Sequence, residues 1–286
     1  MTLSLAALNR RLPGRRAFIT GSGSGLGLEL ARVLAKEGWA LGLFDVDLTR
    51  LTNAEAELTA AGARVQAFPG DVTQCDELTV AVNSFADNVG GLDLMINNAG
   101  VACAGGLLET RLEDWRWIID INVLGVVHGC RAGVPHLQRG GTGILLNVAS
   151  AAAFISPPFL TPYNTTKAAV VAISESLAGE LTHVGIQVSV AMPSFMQTQL
   201  LSTARGPERE LEIGKQIMRN SHYTVQTAAR EMLLAAAHGD LYIVLPKAMR
   251  SVWRLKRWWP QWFTRKFPHM RERAIARAMR KEQDKI

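Results

Sequence analysis

The chain has 286 residues, of which 48% are hydrophobic and 20% charged, with a formal net charge of +6. That is enough apolar material for one large core, and a single α/β domain of this size is ordinary. Three cysteines (Cys75, Cys103 and Cys130) and six histidines stand in no ligand spacing, and no run of about 18 apolar residues is present. These features argue against a metal site, a disulfide framework and a bilayer-spanning segment.

The first thirteen residues are weakly apolar, are broken by Arg10 and Arg11, and lack the pattern of a secretory signal. A cytoplasmic setting with reduced thiols is expected. A short buried strand, 16–20, then runs into Gly21-Ser22-Gly23-Ser24-Gly25-Leu26-Gly27, followed by a helical pattern over 28–37. Strand, glycine-rich turn and helix form the start of a dinucleotide-binding unit. The glycines let the backbone approach a pyrophosphate, and the helix N-terminus offers N–H groups and a positive dipole end. Gly21, Ser24, Gly25, Leu26 and Gly27 are the candidate phosphate-binding residues.

The second strand, 40–44, ends at Asp45. An acidic residue here can accept hydrogen bonds from the adenosine ribose and repels a 2′-phosphate, while Ser24 and Val46 carry no charge to neutralise one. NAD is therefore favoured over NADP. Asp47 reads as the cap of the following helix. Further strands are expected near 64–68, 92–96, 144–149, 186–191 and 241–244. Their alternation with helices predicts a Rossmann-type doubly wound parallel sheet of about seven strands, covered on both faces.

Tyr163 and Lys167 are four residues apart, and Ser150 lies thirteen residues before the tyrosine. On a helix that spacing places phenol and ammonium on one face. The ammonium favours the phenolate, so the tyrosine can exchange a proton nearer neutrality than its ordinary pKa of about 10. The serine hydroxyl can bond the oxygen that gains or loses that proton. The trio reads as an acid–base device for interconverting an alcohol and a carbonyl.

With these residues in place, the chain resembles the short-chain dehydrogenase/reductase family over about residues 14–246. Thr20-Gly21-x-x-x-Gly25-x-Gly27 is similar to the family's cofactor turn, Gly70-Asp71-Val72-Thr73 to its adenine-contacting element, and Asn97-Asn98-Ala99-Gly100 to the element that steadies the central sheet beside the cofactor. The resemblance implies a catalytic tetrad of Asn122, Ser150, Tyr163 and Lys167. In it Tyr163 is the general acid or base, Lys167 lowers its pKa and binds the nicotinamide ribose, Ser150 orients the substrate oxygen, and Asn122 holds a water in a proton relay. It also implies cofactor contacts at Asp71, Val72, Asn98, Ala99, Gly100, Pro193 and Thr198, and a homodimer or homotetramer built through the helices bearing Asn122 and Tyr163. The family usually has Pro-Gly where this chain has Pro193-Ser194, which bears on the placement of Thr198.

Substrate contacts in such a fold come from loops beyond the carboxyl ends of the strands. Here these are 101–106, 151–160 and a lid at about 194–223, and they are rich in apolar residues. Ala152, Phe154, Phe159 and Phe195 are the candidate substrate contacts. A lipophilic secondary alcohol or carbonyl compound is one reading of this lining; packing of the lid against the core is the other. Arg205, Glu208, Arg209 and Glu210 read as a solvated face of the lid.

Residues 247–286 form a separate extension with thirteen Lys or Arg against three acidic residues, net +10, which leaves −4 for the remainder. It also holds Trp253, Trp258, Trp259 and Trp262. One helix is expected over 248–259, ended by Pro260, with Met249, Val252, Trp253 and Trp259 partly segregated, and a second over about 269–281. Peripheral contact with an anionic membrane and packing on the body or a neighbouring subunit both account for this composition. Nucleic acid does not, because no binding fold accompanies the charge. The leading functional expectation is NAD-dependent oxidation of a lipophilic alcohol. Carbonyl reduction is the alternative within that chemistry, and a non-catalytic NAD-binding or membrane-scaffold protein is the alternative outside it.

Overall fold

The computed structural model describes residues 5–266. The first half of the chain runs α1 (Ala6–Arg11), β1 (Arg16–Thr20), α2 (Gly25–Ala35), β2 (Ala40–Asp45), α3 (Leu48–Ala60), β3 (Arg64–Pro69), α4 (Cys75–Val89), β4 (Leu94–Asn97) and α5 (Leu112–Ile119). A π-helical turn, Asp120–Leu124, joins α5 to α6 (Gly125–Arg139). There follow β5 (Gly143–Val148), α7 (Ala152–Ile155), α8 (Thr161–Leu181), β6 (Ile186–Pro193), α9 (Glu208–Arg219), α10 (Val225–His238), β7 (Tyr242–Leu245) and α11 (Met249–Trp258).

The seven strands are all parallel, in the order β3-β2-β1-β4-β5-β6-β7. Alternate side chains leave opposite faces of each strand, so each central strand feeds two cores. Ala17, Ile19, Ile144 and Leu146 join the core roofed by α1, α2, α3 and α10. Phe18, Met95 and Leu145 join the core roofed by α4, α6 and α8. The strand order reverses between β1 and β4, and the crevice beyond their carboxyl ends is where this architecture binds ligands.

The structure differs from the sequence expectations in three places. The fourth strand starts at Leu94, just after Asp93, whose carboxylate is bound by the Arg16 guanidinium at 2.8 Å and whose backbone bonds Arg16 and Ile144. The amino-terminal stretch forms α1, whose Leu5, Leu8 and Leu12 are fully buried. The helical stretch Leu112–Arg139, 28 residues, has the length and apolar content of a membrane span. It is nonetheless a core helix here, since its apolar residues Ile118, Val126 and Leu137 pack inside the fold. Glu113, Asp114, Arg116, Asp120 and Arg131 interrupt it, so it presents no unbroken apolar run.

The carboxyl-terminal extension docks on the body. Met249, Val252 and Trp253 pack against the second core, and the Trp253 ring lies 5.2 Å from that of Tyr242 on β7. Trp259 does not share that face; it is exposed. α11 ends at Trp258, and Pro260 opens a new helical segment over 260–266, a position that suits its fixed φ and missing N–H. The helix expected over 269–281 lies outside the described residues. Because Trp253 is part of the folded body, Trp253→Ala should cost about 2 kcal/mol and lower the thermal midpoint by about 5 °C. An unchanged midpoint in differential scanning calorimetry would show that the extension is not part of the cooperative unit.

Candidate active site

The glycine turn leaves β1 at Thr20 and enters α2 at Gly25. Gly21 (φ +64°) and Gly25 (φ +55°) hold left-handed conformations that suit glycine. A Cβ on Gly27 would lie 2.1 Å from the Gly21 carbonyl oxygen, and one on Gly21 would lie 2.7 Å from Ala99 Cα. Backbone thus presses on backbone at the crevice. Ser24 occupies the N-cap of α2, yet its side chain makes no cap bond, so the first-turn N–H groups, beside Leu26 on the cavity wall, keep no side-chain partner.

Asp45 closes one side of this turn. Its Oδ2 accepts from Gly23 N at 2.8 Å and its Oδ1 from Asp47 N at 3.0 Å. Asp47 caps α3 as expected. Sequence reasoning missed Arg50, which also lines the cavity here and pairs with Asp47 at 3.0 Å. Its place one turn into the Asp47-capped helix was the available signal.

Asp71 and Val72 line the adjoining wall. Asp71 Oδ1 accepts from Thr73 N at 2.9 Å, and Val72 is packed beneath Gly125. Asn98 ties the ends of β1 and β4 together. Its Nδ2 donates to the carbonyls of Thr20 (3.0 Å) and Gly21 (2.9 Å), while Asn98 N and Ala99 N both donate to Thr20 Oγ1 at 3.1 Å.

Ser150, Tyr163 and Lys167 come together at the floor of the cavity, and Asn122 is buried behind it. Lys167 is buried on α8, and its Nζ donates to the Val148 carbonyl at the end of β5, at 3.0 Å. It lies 5.8 Å from the centre of the Tyr163 ring. Ser150 Oγ accepts from Ala152 N at 3.1 Å and also bonds the Tyr163 hydroxyl. Asn122 sits fully buried in the π turn, a distortion frequent at functional sites. Its side chain brackets Val101, accepting from Val101 N at 2.8 Å and donating to Val101 O at 2.9 Å. Asn122 Nδ2 also donates to Thr166 Oγ1 at 3.1 Å, and Thr166 in turn donates to the Tyr163 carbonyl. Thr166 therefore links the asparagine to the tyrosine helix, a role that no sequence pattern announced. Gly100 fits between them; a Cβ there would stand 3.1 Å from Asn122 Oδ1 and 3.2 Å from Lys167 Nζ.

The electrostatics differ from the expectation in one respect. Burial pushes the Tyr163 phenol above its ordinary value, with the Ser150 hydrogen bond pulling the other way. The same burial lowers the Lys167 amine to about 8. Desolvation penalises both charged forms at once, and the amine is engaged by a backbone carbonyl instead of the phenol.

Pro193 and Thr198 line the opposite wall, with Thr198 side-chain carbon 3.7 Å from the position of a Cβ on Gly25. Ser194 takes no left-handed conformation, and its N–H donates to Leu245 O at 2.8 Å. Serine is accommodated there without the freedom of glycine.

The cavity, about 1630 Å³, extends from the glycine turn past Tyr163 to the lid. Ala152, Phe159 and Phe195 line it, as do Met196, Leu200, Ile213 and Ile217. Phe154 does not. It is buried in the second core and faces the carboxyl-terminal extension, because one turn of α7 sends Ala152 and Ile155 inward and Phe154 outward. Arg205 also departs from its expected solvated role. Its guanidinium stacks over Trp117 at 4.0 Å and pairs with the buried Asp114 at 3.0 Å, while its backbone pairs with Ala102 and Ala104. Arg205 thus fastens the lid, and Trp117 supplies a cavity wall that sequence reasoning missed.

Residues 15–209 match the family model described as short chain dehydrogenase. The chain belongs to this family. Among curated relatives, the probable oxidoreductase EphD of Mycobacterium tuberculosis is 35% identical over 190 residues, covering 65% of this chain and 31% of EphD. The chain therefore spans about a third of that relative's length. An uncharacterized oxidoreductase of Staphylococcus aureus is 31% identical over 199 residues, covering 70% of this chain and 85% of that protein. Among solved structures, a short-chain dehydrogenase/reductase from Burkholderia phymatum in complex with NAD superposes with a TM-score of 0.82 at 30% identity, covering 88% of this chain and 95% of that one.

Proposed function

We propose that this chain is an NAD(P)-dependent oxidoreductase that interconverts an alcohol and a carbonyl, with NAD as its preferred cofactor and a lipophilic secondary alcohol as its substrate. The observation that carries the reading is the convergence of Ser150, Tyr163 and Lys167 on one cavity that also contains the glycine turn, with Asn122 buried behind its wall and bound to Val101 and Thr166.

The residues present suit a dinucleotide. The glycine turn leaves a cradle that side chains would fill, the N-terminus of α2 faces the pyrophosphate position, and Asp45 stands at the ribose corner. When bound, the nicotinamide supplies the hydride acceptor or donor. Tyr163 then takes the proton of the alcohol in oxidation, or gives one to the carbonyl oxygen in reduction. Ser150 orients that oxygen, and Lys167 holds the nicotinamide ribose and supplies positive charge beside the phenol. Asn122 fixes Val101 and Thr166, which sets the separation between the cavity floor and α8.

A cavity of about 1630 Å³ exceeds ordinary ligand pockets of about 300–1,000 Å³, and so leaves room for a second molecule beside a dinucleotide. Its apolar lid residues favour a lipophilic one. A second reading, carbonyl reduction, is favoured by the raised Tyr163 pKa, which keeps the phenol in its proton-donating form. The family resemblance supports a homodimer or homotetramer, and α8 leaves Ala168 and Ala172 exposed for such contact.

NADH formation across secondary alcohols of increasing chain length and ring content tests the reading directly; activity should rise with lipophilicity. Because burial holds Tyr163 protonated at neutral pH, its proton-accepting form grows as pH rises. Oxidation should therefore accelerate between about pH 7 and 9, whereas reduction, which uses the protonated phenol, should hold steady over the same window. A profile flat in both directions would remove Tyr163 from the proton transfer. Asp45→Ala should reduce the NAD-over-NADP preference at least about tenfold, by deleting the carboxylate that repels a 2′-phosphate. An unchanged ratio in paired kinetic measurements would refute the ribose assignment.

A further inference from the structure

The positive charge of the chain is concentrated where the active site is not. Between Leu241 and Lys266 there are seven Lys or Arg residues and no acidic residue. The structure divides this segment into two faces. Met249, Val252 and Trp253 hold α11 on the second core, and Phe263, 4% exposed, holds the following helical segment. Arg257 lies across the rings of Trp253 and Tyr242 at 5.1 and 5.6 Å. Facing away from that anchorage, Trp258, Trp259 and Trp262 are 73%, 56% and 49% exposed. Three neighbouring indoles are thus presented to solvent on an anchored element, among cations such as Arg254, Arg265 and Lys266.

The chemistry of this face fits one kind of partner. Indole rings settle at the headgroup level of a bilayer, and Lys and Arg beside them meet the phosphates of an anionic leaflet. A second copy of the same face is a poor fit, because two-fold pairing would set Arg254, Arg265 and Lys266 against the same cations of the other copy.

The anchored side of the same extension adjoins the α7 region, which leads to the cavity rim. A shallow hollow is shared by Ala153, Phe154 and Ser156 of the α7 region with Trp253, Lys256 and Pro260 of the extension. Phe159, 52% exposed on the cavity rim, is three residues beyond Ser156, a reach of at most about 10 Å. Its ring lies 3.8 Å from the position of a Cβ on Gly106, and the next residues, Leu107 and Leu108, are 65% and 98% exposed.

We propose that Trp258, Trp259 and Trp262, with their flanking cations, dock this protein on an anionic lipid membrane and bring the Phe159 rim of the cavity to the lipid surface. The docking stands on the face itself; only the delivery of substrate at the rim rests on the lipophilic-substrate reading above.

The test is co-sedimentation of the full chain with phosphatidylcholine vesicles that contain or lack phosphatidylglycerol, at low and high salt. The full chain should bind the anionic vesicles, shift its tryptophan emission to the blue, and be released by salt. W258A/W259A/W262A should lose about tenfold in vesicle affinity with NAD binding unchanged. R254E/R265E, which keeps all three indoles, should lose the preference for anionic lipid, and decides the matter if the tryptophan variant fails to fold. Failure of the full chain to sediment, equal binding to neutral vesicles, or full binding by both variants would overturn the proposal. A lower oligomeric mass of the tryptophan variant without vesicles would overturn it in favour of a second copy. None of these outcomes depends on which alcohol, if any, the enzyme oxidises.

Discussion

A buried amine at the junction of β5 and α8 is the constraint on which the rest of the site depends. Lys167 gives up water for one backbone carbonyl, Val148 O, and its pKa falls to about 8. It remains about tenfold more charged than neutral at pH 7. Holding a charge in such surroundings requires that nothing around it shift, and the structure meets that need from several directions. Asn122 clamps Val101 on one side and reaches Thr166 on α8 on the other, and Gly100 leaves the space between Asn122 and the amine. The glycine turn, bound through Asn98 to the end of β4, then adjoins this fixed point, so that cofactor cradle and acid–base pair share one rigid floor.

Much of this was legible in the sequence because the determinants are local. Gly21, Gly25 and Gly27 are dictated by backbone approach within one turn, and Tyr163 and Lys167 by one turn of a helix. The sheet was legible for a related reason: strands buried on both faces read as short apolar runs, and their alternation with helices allows few topologies.

What escaped the sequence reading depends on contacts between distant segments. The π turn at Asn122, the Thr166 link and the Arg205–Trp117 stack join residues that have no periodic relation. Phe154 was misread because an apolar run such as 151–155 has no visible sides until its single helical turn divides them. The Tyr163 pKa was misread for a different reason. Spacing predicts the neighbouring ammonium, but only the fold reveals how much solvent both groups lose, and here desolvation outweighs attraction. Arg50 and Arg205 show the same limit for cations: charge in a sequence looks solvated until a partner such as Asp47 or Asp114 is placed beside it.

The central claim is that Tyr163 moves the proton while hydride passes between substrate and cofactor in one cavity. The most direct test is to incubate the protein with NAD and secondary alcohols deuterated at the carbinol carbon, and to analyse the reduced cofactor by mass spectrometry. The account predicts deuterium in the nicotinamide ring of the product, with loss of nearly all transfer in Tyr163→Phe although NAD still binds. Deuterium transfer that persists undiminished without the phenol would contradict it.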